Sequence, residues 1–354
     1  MRYVRFIILS VICSIVLLGC AGKTEQAKAK YVFYFIGDGM GVNQVIGTEM
    51  YLAELEGRIG TKSLSFTSFP VRNYMTTYSA TNAVTCSAAA GTALATGTKT
   101  QNGRIGMRQD SSVLYSIACK AKQAGKAVGV TTSVAINHAT PAVFYAHQPD
   151  RQMYYEIGTD AAKAGFDFYG GAGWKQVFSP HDSSAIDLYS LLRDSGYMII
   201  DHRQDFQALS AGAGKVVYVQ PKDCVNPSSL PAAIDRKEGD LTLANITEKA
   251  IQFLSTRNET GFFLMVEGGV IDWLCHANDG AAAFREVVDF SETIQVALDF
   301  YKAHPNETLI IVTADHETGG LSLGNGPYAL TLKLLANQKS SIIGLTQNST
   351  KLKK

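Results

Sequence analysis

The chain has 354 residues, enough for one large domain or two small ones, and 46% of them are hydrophobic while only 18% are charged. This composition supports a sizeable core and excludes disorder as the main state. The 32 basic residues nearly balance the 31 acidic ones, and there is no basic block outside the last few residues. The composition therefore does not favour a nucleic-acid partner held by bulk electrostatics, and we expect none.

The N-terminal residues have the pattern of an export signal. Two arginines precede an apolar run over residues 6–18, which is too short to span a membrane. The run ends in Leu-Leu-Gly before Cys20, an ending that resembles the signal of bacterial lipoproteins, in which lipid is attached to the cysteine. We therefore predict a lipoprotein signal peptide over residues 1–19, a polar tether over residues 20–30, and an exported protein anchored by lipid to the bacterial cell envelope. An ordinary signal peptide is the alternative.

Short apolar runs alternate with longer helical patterns in the rest of the chain. The apolar runs, which predict strands, cover residues 31–36, 127–130, 262–266 and 309–312. The helical patterns cover residues 112–124 and two segments that are expected to begin at the caps Asp240 and Asp279. Strands that are apolar on both faces, separated by amphipathic helices, predict an α/β fold, in which a mainly parallel central sheet is covered by helices on both faces.

One stretch departs from this alternation. Residues 170–237 are rich in glycine, serine, proline and charged residues. Such a composition is typical of loops, and it predicts an insertion here rather than central strands. The remainder of residues 31–354 is predicted to form a single domain around the sheet.

Acidic residues and histidines directly follow three of the predicted strands. They are Asp38 after the first strand, Glu267, Asp272 and His276 after the third, and Asp315 and His316 after the fourth. Because ligands bind beyond the carboxyl ends of parallel strands, three such runs in one chain favour a metal centre over simple helix capping. Asp and His without Cys are typical of catalytic zinc, whereas an all-oxygen set is typical of magnesium. Asp272 and His276, four residues apart, would share one face of a helix and either chelate an ion or form a surface ion pair.

A candidate nucleophile precedes a run of very small residues. Ser87 is followed by three alanines and a glycine, which predict a thin helix whose N-terminus is free to receive an anion. The alternative is a tightly packed helix that Ser87 merely caps. His138 and Thr140 follow the second predicted strand, and Arg151 offers a planar fork suited to two phosphate oxygens. Taken alone, Arg151 is more typical of a surface residue.

Together these motifs resemble those of bacterial alkaline phosphatases, in the same order along the chain. The motifs are Ile36-Gly37-Asp38-Gly39-Met40-Gly41, Ser87-Ala88-Ala89 with Thr96-Gly97-Thr98-Lys99-Thr100 behind it, Ala139-Thr140-Pro141-Ala142, Val266-Glu267-Gly268 through Asp272 and His276, and Thr313-Ala314-Asp315-His316. The resemblance implies an alkaline phosphatase-like fold and an enzyme that hydrolyses small phosphorylated substrates, namely phosphate monoesters, through a phosphoserine intermediate. It also implies a possible homodimer.

The resemblance also implies roles for the candidate residues. Ser87 would become phosphorylated, and Arg151 would clamp the phosphate. Two Zn²⁺ ions and one Mg²⁺ ion are implied, the first zinc activating the serine and the second stabilising the leaving oxygen. Their implied ligands are Asp38, Asp315 and His316 for the first zinc, Asp272 and His276 for the second, and Asp38, Thr140 and Glu267 for the magnesium.

The sequence departs from the family pattern in four places. Cys86 stands where aspartate is usual, which removes the usual brace on the clamping arginine, and Trp273 stands where many members have lysine. His138 stands where many have aspartate, and because a His/Trp combination also occurs in the family, we predict that His138 ligates the third metal. The family also carries a zinc-binding histidine in a C-terminal His-Thr-Gly motif, whereas no histidine follows His316 here. We expect either a truncated chain or a substitute ligand.

Two other functions stay open at this point. One is a phosphodiesterase or sulfatase of the same superfamily. The other is a lipoprotein that binds metal or phosphate without turnover, and the missing histidine is the observation that favours it. The presence of both Arg151 and a third-metal set favours the monoesterase.

Overall fold

The computed structural model describes residues 29–201, 214–221, 228–324, 326 and 328–346. The predicted signal peptide, Cys20 and all but the last two residues of the predicted tether lie outside these residues. Within the described residues, no helix has both the length and the apolar character needed to cross a membrane.

Seven strands in the described chain form one sheet. They are β1 (Tyr31–Gly37), β2 (Ala127–Thr132), β3 (Phe168–Gly171), β4 (Tyr197–Ile200), β5 (Lys215–Val219), β6 (Phe262–Gly268) and β7 (Thr308–Ala314). Their order across the sheet is β4-β5-β3-β2-β6-β1-β7, and every neighbouring pair is parallel. Strands β2 and β6 are buried along their whole length, as two-faced burial in an α/β fold requires. The predicted parallel α/β architecture is confirmed.

Helices cover both faces of the sheet. They are α1 (Val42–Leu55), α2 (Ser87–Thr96), α3 (Ile117–Gln123), α4 (Ala139–Ala142), α5 (Tyr154–Ala164), α6 (Leu188–Asp194), α7 (Leu243–Ser255), α8 (Val270–His276) and α9 (Gly280–Ala303). Helices α2 to α6 bury side chains such as Ile157 and Leu188 in the core on one face. Helices α1 and α7 to α9 pack on the other face, where Leu254 and Phe290 lie in a second core.

Two helices begin later than their sequence patterns predict. Asp240 is not the cap of α7. Thr242 is the cap, because its side chain accepts a hydrogen bond from the Asn245 amide while the Asn245 side chain accepts one from the Thr242 amide, a reciprocal capping box. Within the predicted helix over 112–124, α3 forms only after Ser116, whose side chain caps it. The third predicted start is correct, since Asp279 caps α9.

The stretch 170–237, predicted as an insertion without central strands, supplies two strands of the sheet. β5 pairs with β3, and β4 pairs with β5, so both extend the sheet at the edge farthest from β7. These strands are only five and four residues long. The sequence pattern did not predict these strands because their apolar runs are short and polar and glycine-rich residues surround them. The pairing of β5 with β3 also depends on residues that are far apart in the chain.

The strand register places one end of the sheet under the candidate site. Gly37 at the end of β1 lies opposite Gly268 of β6 and Ala314 of β7. Thr132 at the end of β2 lies opposite Glu267. Because these four strands are adjacent and parallel, the polar residues that follow them leave the sheet at the same level.

Candidate metal centre

The predicted ligands from the first and last strands converge. One ligand atom each from Asp38, Asp315 and His316 forms a group whose members all lie within 4.8 Å of one another. His316 Nε2 is 3.4 Å from Asp38 Oδ1 and 3.4 Å from Asp315 Oδ2. The amides of Gly39 and His316 both donate to Asp315 Oδ1, at 3.0 and 2.9 Å, which orients this carboxyl group. Residues that follow the first and last strands in the chain thus build one cation-sized cluster.

A second cluster shares Asp38 with the first. Ligand atoms of Asp38, His138 and Glu267 also lie within 4.8 Å of one another, and all three residues are buried. The Thr140 hydroxyl donates to Asp38 Oδ2 at 3.2 Å, so this residue of the predicted third-metal set lies at the same carboxyl group. The second cluster therefore contains the predicted third-metal residues together with His138, and Asp38 lies between the two clusters.

Ser87 faces the first cluster. It is the first residue of α2, and the cap position belongs to Cys86, so the structure decides against the alternative in which Ser87 merely caps the helix. Its Oγ lies 3.4 Å from Asp38 Oδ1 and 3.2 Å from His316 Nε2, and the residue is 4% exposed. A hydroxyl at a helix N-terminus thus contacts two candidate metal ligands.

Asp272 and His276 form a pair rather than a full cluster. Both lie on α8, as the four-residue spacing predicts, with His276 Nε2 3.4 Å from Asp272 Oδ1. The Asp272 residue is buried, but the His276 side chain is 70% exposed. Within the described part of the chain, no other histidine, cysteine or acidic residue joins this pair to make a group of three.

Arg151 lies at the edge of the second cluster. Its Nη2 is 3.5 Å from His138 Nε2, and the His138 ring meets the Trp273 ring edge-on, with centroids 5.8 Å apart. The Arg151 amide donates to the carbonyl of Gly103, whose own amide donates to Cys86 Sγ at 3.1 Å. The cysteine that replaces the usual aspartate therefore connects to Arg151 through the Gly103 backbone rather than through a carboxylate.

Burial and mutual repulsion dominate the electrostatics of the site. Burial raises the pKa of Asp38 well above its ordinary value, and the neighbouring Asp315 and Asp272 raise it further. Burial likewise raises the pKa of Glu267 well above its ordinary value and that of Asp315 to about 7. The pKa of His138 falls to about 3 through burial and the nearby Arg151. A bound cation would offset the cost of burying these carboxylates in their charged form, and burial already keeps His138 in the neutral form that can coordinate a metal ion.

Three buried atoms support the presence of cations. Asp315 Oδ2, Glu267 Oε1 and His138 Nδ1 have no hydrogen-bond partner among the described residues. Buried polar atoms are almost always paired, and unpaired carboxylate oxygen and imidazole nitrogen atoms on residues of these clusters are suited to metal coordination. The residues present therefore fit bound divalent cations.

The structure adds supporting residues that the sequence motifs did not single out. The Thr132 hydroxyl donates to Glu267 Oε2, and the Thr318 hydroxyl donates to Asp272 Oδ1 at 2.6 Å. Gln44 Nε2 donates to the Thr318 carbonyl at 2.9 Å. Thr132 ends β2 and Thr318 follows β7, so their positions at strand ends could have indicated that they belong to the site. Nothing in the sequence around Gln44 indicates its role.

These features define a class of protein: a parallel α/β fold whose strand ends gather acidic and histidine ligands opposite a serine at a helix N-terminus. The alkaline phosphatase family model matches residues 29–170 and 184–353. The chain belongs to the alkaline phosphatase family.

Individual relatives agree with this assignment. The chain is 34% identical to alkaline phosphatase 4 of Bacillus subtilis (strain 168) over an alignment of 321 positions that covers 86% of this chain and 65% of the relative. It therefore spans less than two thirds of that relative's length. A cold-active alkaline phosphatase from the psychrophile Shewanella sp. is 34% identical with a TM-score of 0.78, covering 88% of this chain and 74% of that one. A mutant of TAB5 alkaline phosphatase with Mg bound in its M3 site is 32% identical with a TM-score of 0.72, covering 83% of this chain and 80% of that one.

Proposed function

We propose that this protein hydrolyses phosphate monoesters to an alcohol and inorganic phosphate through a phosphoserine intermediate. The observation that carries the proposal is the position of Ser87 Oγ, 3.4 Å from Asp38 Oδ1 and 3.2 Å from His316 Nε2, beside two acidic clusters that fit cations. The family of the chain and the named activity of its relatives support the substrate class.

We assign the cofactors from the chemistry of the donors. The mixed oxygen and nitrogen donors of Asp38, Asp315 and His316, and of Asp272 and His276, suit Zn²⁺. The third set is richer in oxygen, with Asp38, Thr140 and Glu267 beside His138, and suits Mg²⁺. The Mg bound in the M3 site of the TAB5 mutant supports this last assignment.

The chain's own residues bind and orient the phosphoryl group. When bound, divalent cations would supply charge neutralisation and Lewis acidity toward its oxygens. The first amides of α2 have no acceptor within the helix, and we assign them the role of binding the phosphate anion next to Ser87. We assign Arg151, whose Nη2 lies 3.5 Å from His138 Nε2, the role of binding two phosphate oxygens with its planar guanidinium group. Positioning and charge neutralisation of this kind are the main requirements of phosphoryl transfer.

The proposed reaction consists of two successive displacements at phosphorus. In the first, a bond forms between Ser87 Oγ and phosphorus while the bond from phosphorus to the alcohol oxygen breaks. The proton lost by the serine is matched by one that the leaving oxygen gains. In the second, water attacks phosphorus, the bond to Ser87 Oγ breaks, and inorganic phosphate leaves as the serine regains a proton. No oxidant, reductant or further co-substrate is required.

A comparison of three ester classes tests this function. The purified protein, supplied with Zn²⁺ and Mg²⁺ at alkaline pH, is expected to hydrolyse a chromogenic phosphate monoester and to lose that activity when the cations are chelated. Hydrolysis of the matching phosphodiester or sulfate ester alone would select those enzymes of the same superfamily instead. Binding of cations and phosphate without hydrolysis of any ester would select the non-catalytic lipoprotein.

We also propose that the protein is exported and anchored to the cell envelope by lipid on Cys20. The apolar run and the Leu-Leu-Gly that precede this cysteine support the proposal. In a bacterial host, Cys20→Ser is expected to release the protein from the membrane fraction and to prevent incorporation of a labelled fatty acid. Equal labelling of the wild type and the variant would contradict lipid attachment at this position.

The homodimer implied by the family resemblance stays a prediction.

A further inference from the structure

Thr318 connects the two groups of candidate zinc ligands. Its hydroxyl oxygen lies 2.6 Å from Asp272 Oδ1 and 3.1 Å from His316 Nδ1. Thr318 is 5% exposed, in the loop that follows β7. One buried hydroxyl therefore touches a ligand from each of the two subsites, Asp272 on α8 and His316 after β7.

The hydrogen bonds at this hydroxyl run in one direction. A threonine hydroxyl has a single proton, and in the 2.6 Å contact it donates the hydrogen bond of that proton to the Asp272 carboxylate. The hydroxyl must therefore accept from His316 Nδ1–H. The Glu317 carbonyl, 3.1 Å from the same nitrogen, can also only accept, so it requires the same tautomer. With the proton on Nδ1, the lone pair of His316 is on Nε2, which faces Asp38 and Asp315.

We propose that Thr318 is a positioning residue that orients the ligands of both zinc subsites at once. It holds His316 in the tautomer and orientation that a metal ligand needs, and it fixes the Asp272 carboxyl group on the other side. This inference rests on the metal centre of the proposed function, but it concerns the binding of the ions rather than the hydrolysis of a substrate.

Two glycines allow the backbone to come close to the Thr318 hydroxyl and to α8. Gly39 has a φ of +67°, and a Cβ there would lie 2.7 Å from Thr318 Oγ1 and 2.9 Å from Asp272 Oδ1. Gly319 has a φ of +85°, and a Cβ there would lie 2.4 Å from the Cys275 carbonyl of α8. Both glycines thus let the loop after β7 approach α8 and the end of β1 closely enough for the hydroxyl to bridge. Gln44 holds the Thr318 carbonyl from α1.

Metal titration of three proteins tests the inference. The metal-free wild type, Thr318→Val and Thr318→Ser are titrated with Co²⁺, followed by its visible absorption, and with Zn²⁺ in competition with a chelator. The valine variant keeps the shape of the side chain but loses the hydroxyl, and we expect metal affinity to fall roughly 10- to 100-fold. The serine variant restores the hydroxyl and is expected to bind close to the wild type. Should Thr318→Val not fold, Thr318→Ala takes its place in the same comparison.

A matched control separates positioning from general stability. Thr293 is fully buried on α9, and its hydroxyl donates to the Asp289 carbonyl within that helix. Thr293→Val therefore also removes a buried hydroxyl, and we expect it to lower thermal stability without changing metal affinity. Wild-type affinity in Thr318→Val, or an equal loss in Thr318→Ser, would overturn the inference. Weaker metal binding in the valine variant supports it even if the wild type hydrolyses no monoester, an outcome that would refute only the proposed function.

Discussion

Replacing Ser87 with alanine is expected to reduce phosphate monoester hydrolysis by roughly a thousand-fold or more, because the proposed reaction loses its nucleophile. The hydroxyl caps no part of α2, so the helix is expected to fold unchanged. Asp38 and His316 remain in place, and metal content is expected to stay near that of the wild type. Turnover and bound metal, measured on the same preparation, check both expectations.

The control for this substitution is a serine outside the site. Ser291 is buried on α9, and its hydroxyl bonds to Ser65, so Ser291→Ala removes a comparable group. It should retain activity. A rapid acid quench after incubation with substrate should also recover phosphate on the peptide that contains Ser87, and only in proteins that keep this serine. Turnover in Ser87→Ala matching that of Ser291→Ala would remove the serine from the mechanism.

Replacing Asp38 with asparagine is expected to have opposite effects on stability with and without metal. In the metal-free protein, Asp38 is fully buried beside Asp315, with Asp272 and Glu267 close enough to repel it. The asparagine side chain would have nearly the same shape without the charge, so at alkaline pH the metal-free variant should unfold at a higher temperature than the wild type. With saturating cations the order should reverse, because the variant loses a donor shared by both clusters.

Thermal unfolding with and without chelator measures this reversal. Ligand binding to the folded state alone adds about 4 kcal/mol at a free concentration roughly 1,000 times Kd, and we expect the wild type to show a gain of this order and the variant much less. Asp299→Asn is the matched control, since this carboxylate is 61% exposed and pairs with Lys302 on the surface. It should leave the effect of metal unchanged. A metal-free Asp38→Asn protein less stable than the metal-free wild type would contradict the charge-repulsion account.

Some parts of the site depended on local sequence and others on long-range register. The four-residue spacing of Asp272 and His276 was enough to place them on one face of α8, because helix geometry is local. The contact between the side chains of Arg151 and His138 could not be predicted from their spacing in the sequence. It depends on backbone bonds such as the one from Arg151 to Gly103, which form only after the loops have packed.

Local sequence patterns were enough to predict the parallel α/β fold and the polar residues at its strand ends. Apolar runs such as residues 31–36 and 262–266 are strong local signals for buried strands, and the carboxyl ends of parallel strands meet at one edge. The folded arrangement was needed to show that Asp38 belongs to both clusters and that Thr318 bridges Asp272 and His316. The reason is physical: these contacts join residues that are far apart in sequence, and their distances follow from the register of β1, β6 and β7 and from the close approach of the loop after β7 to α8.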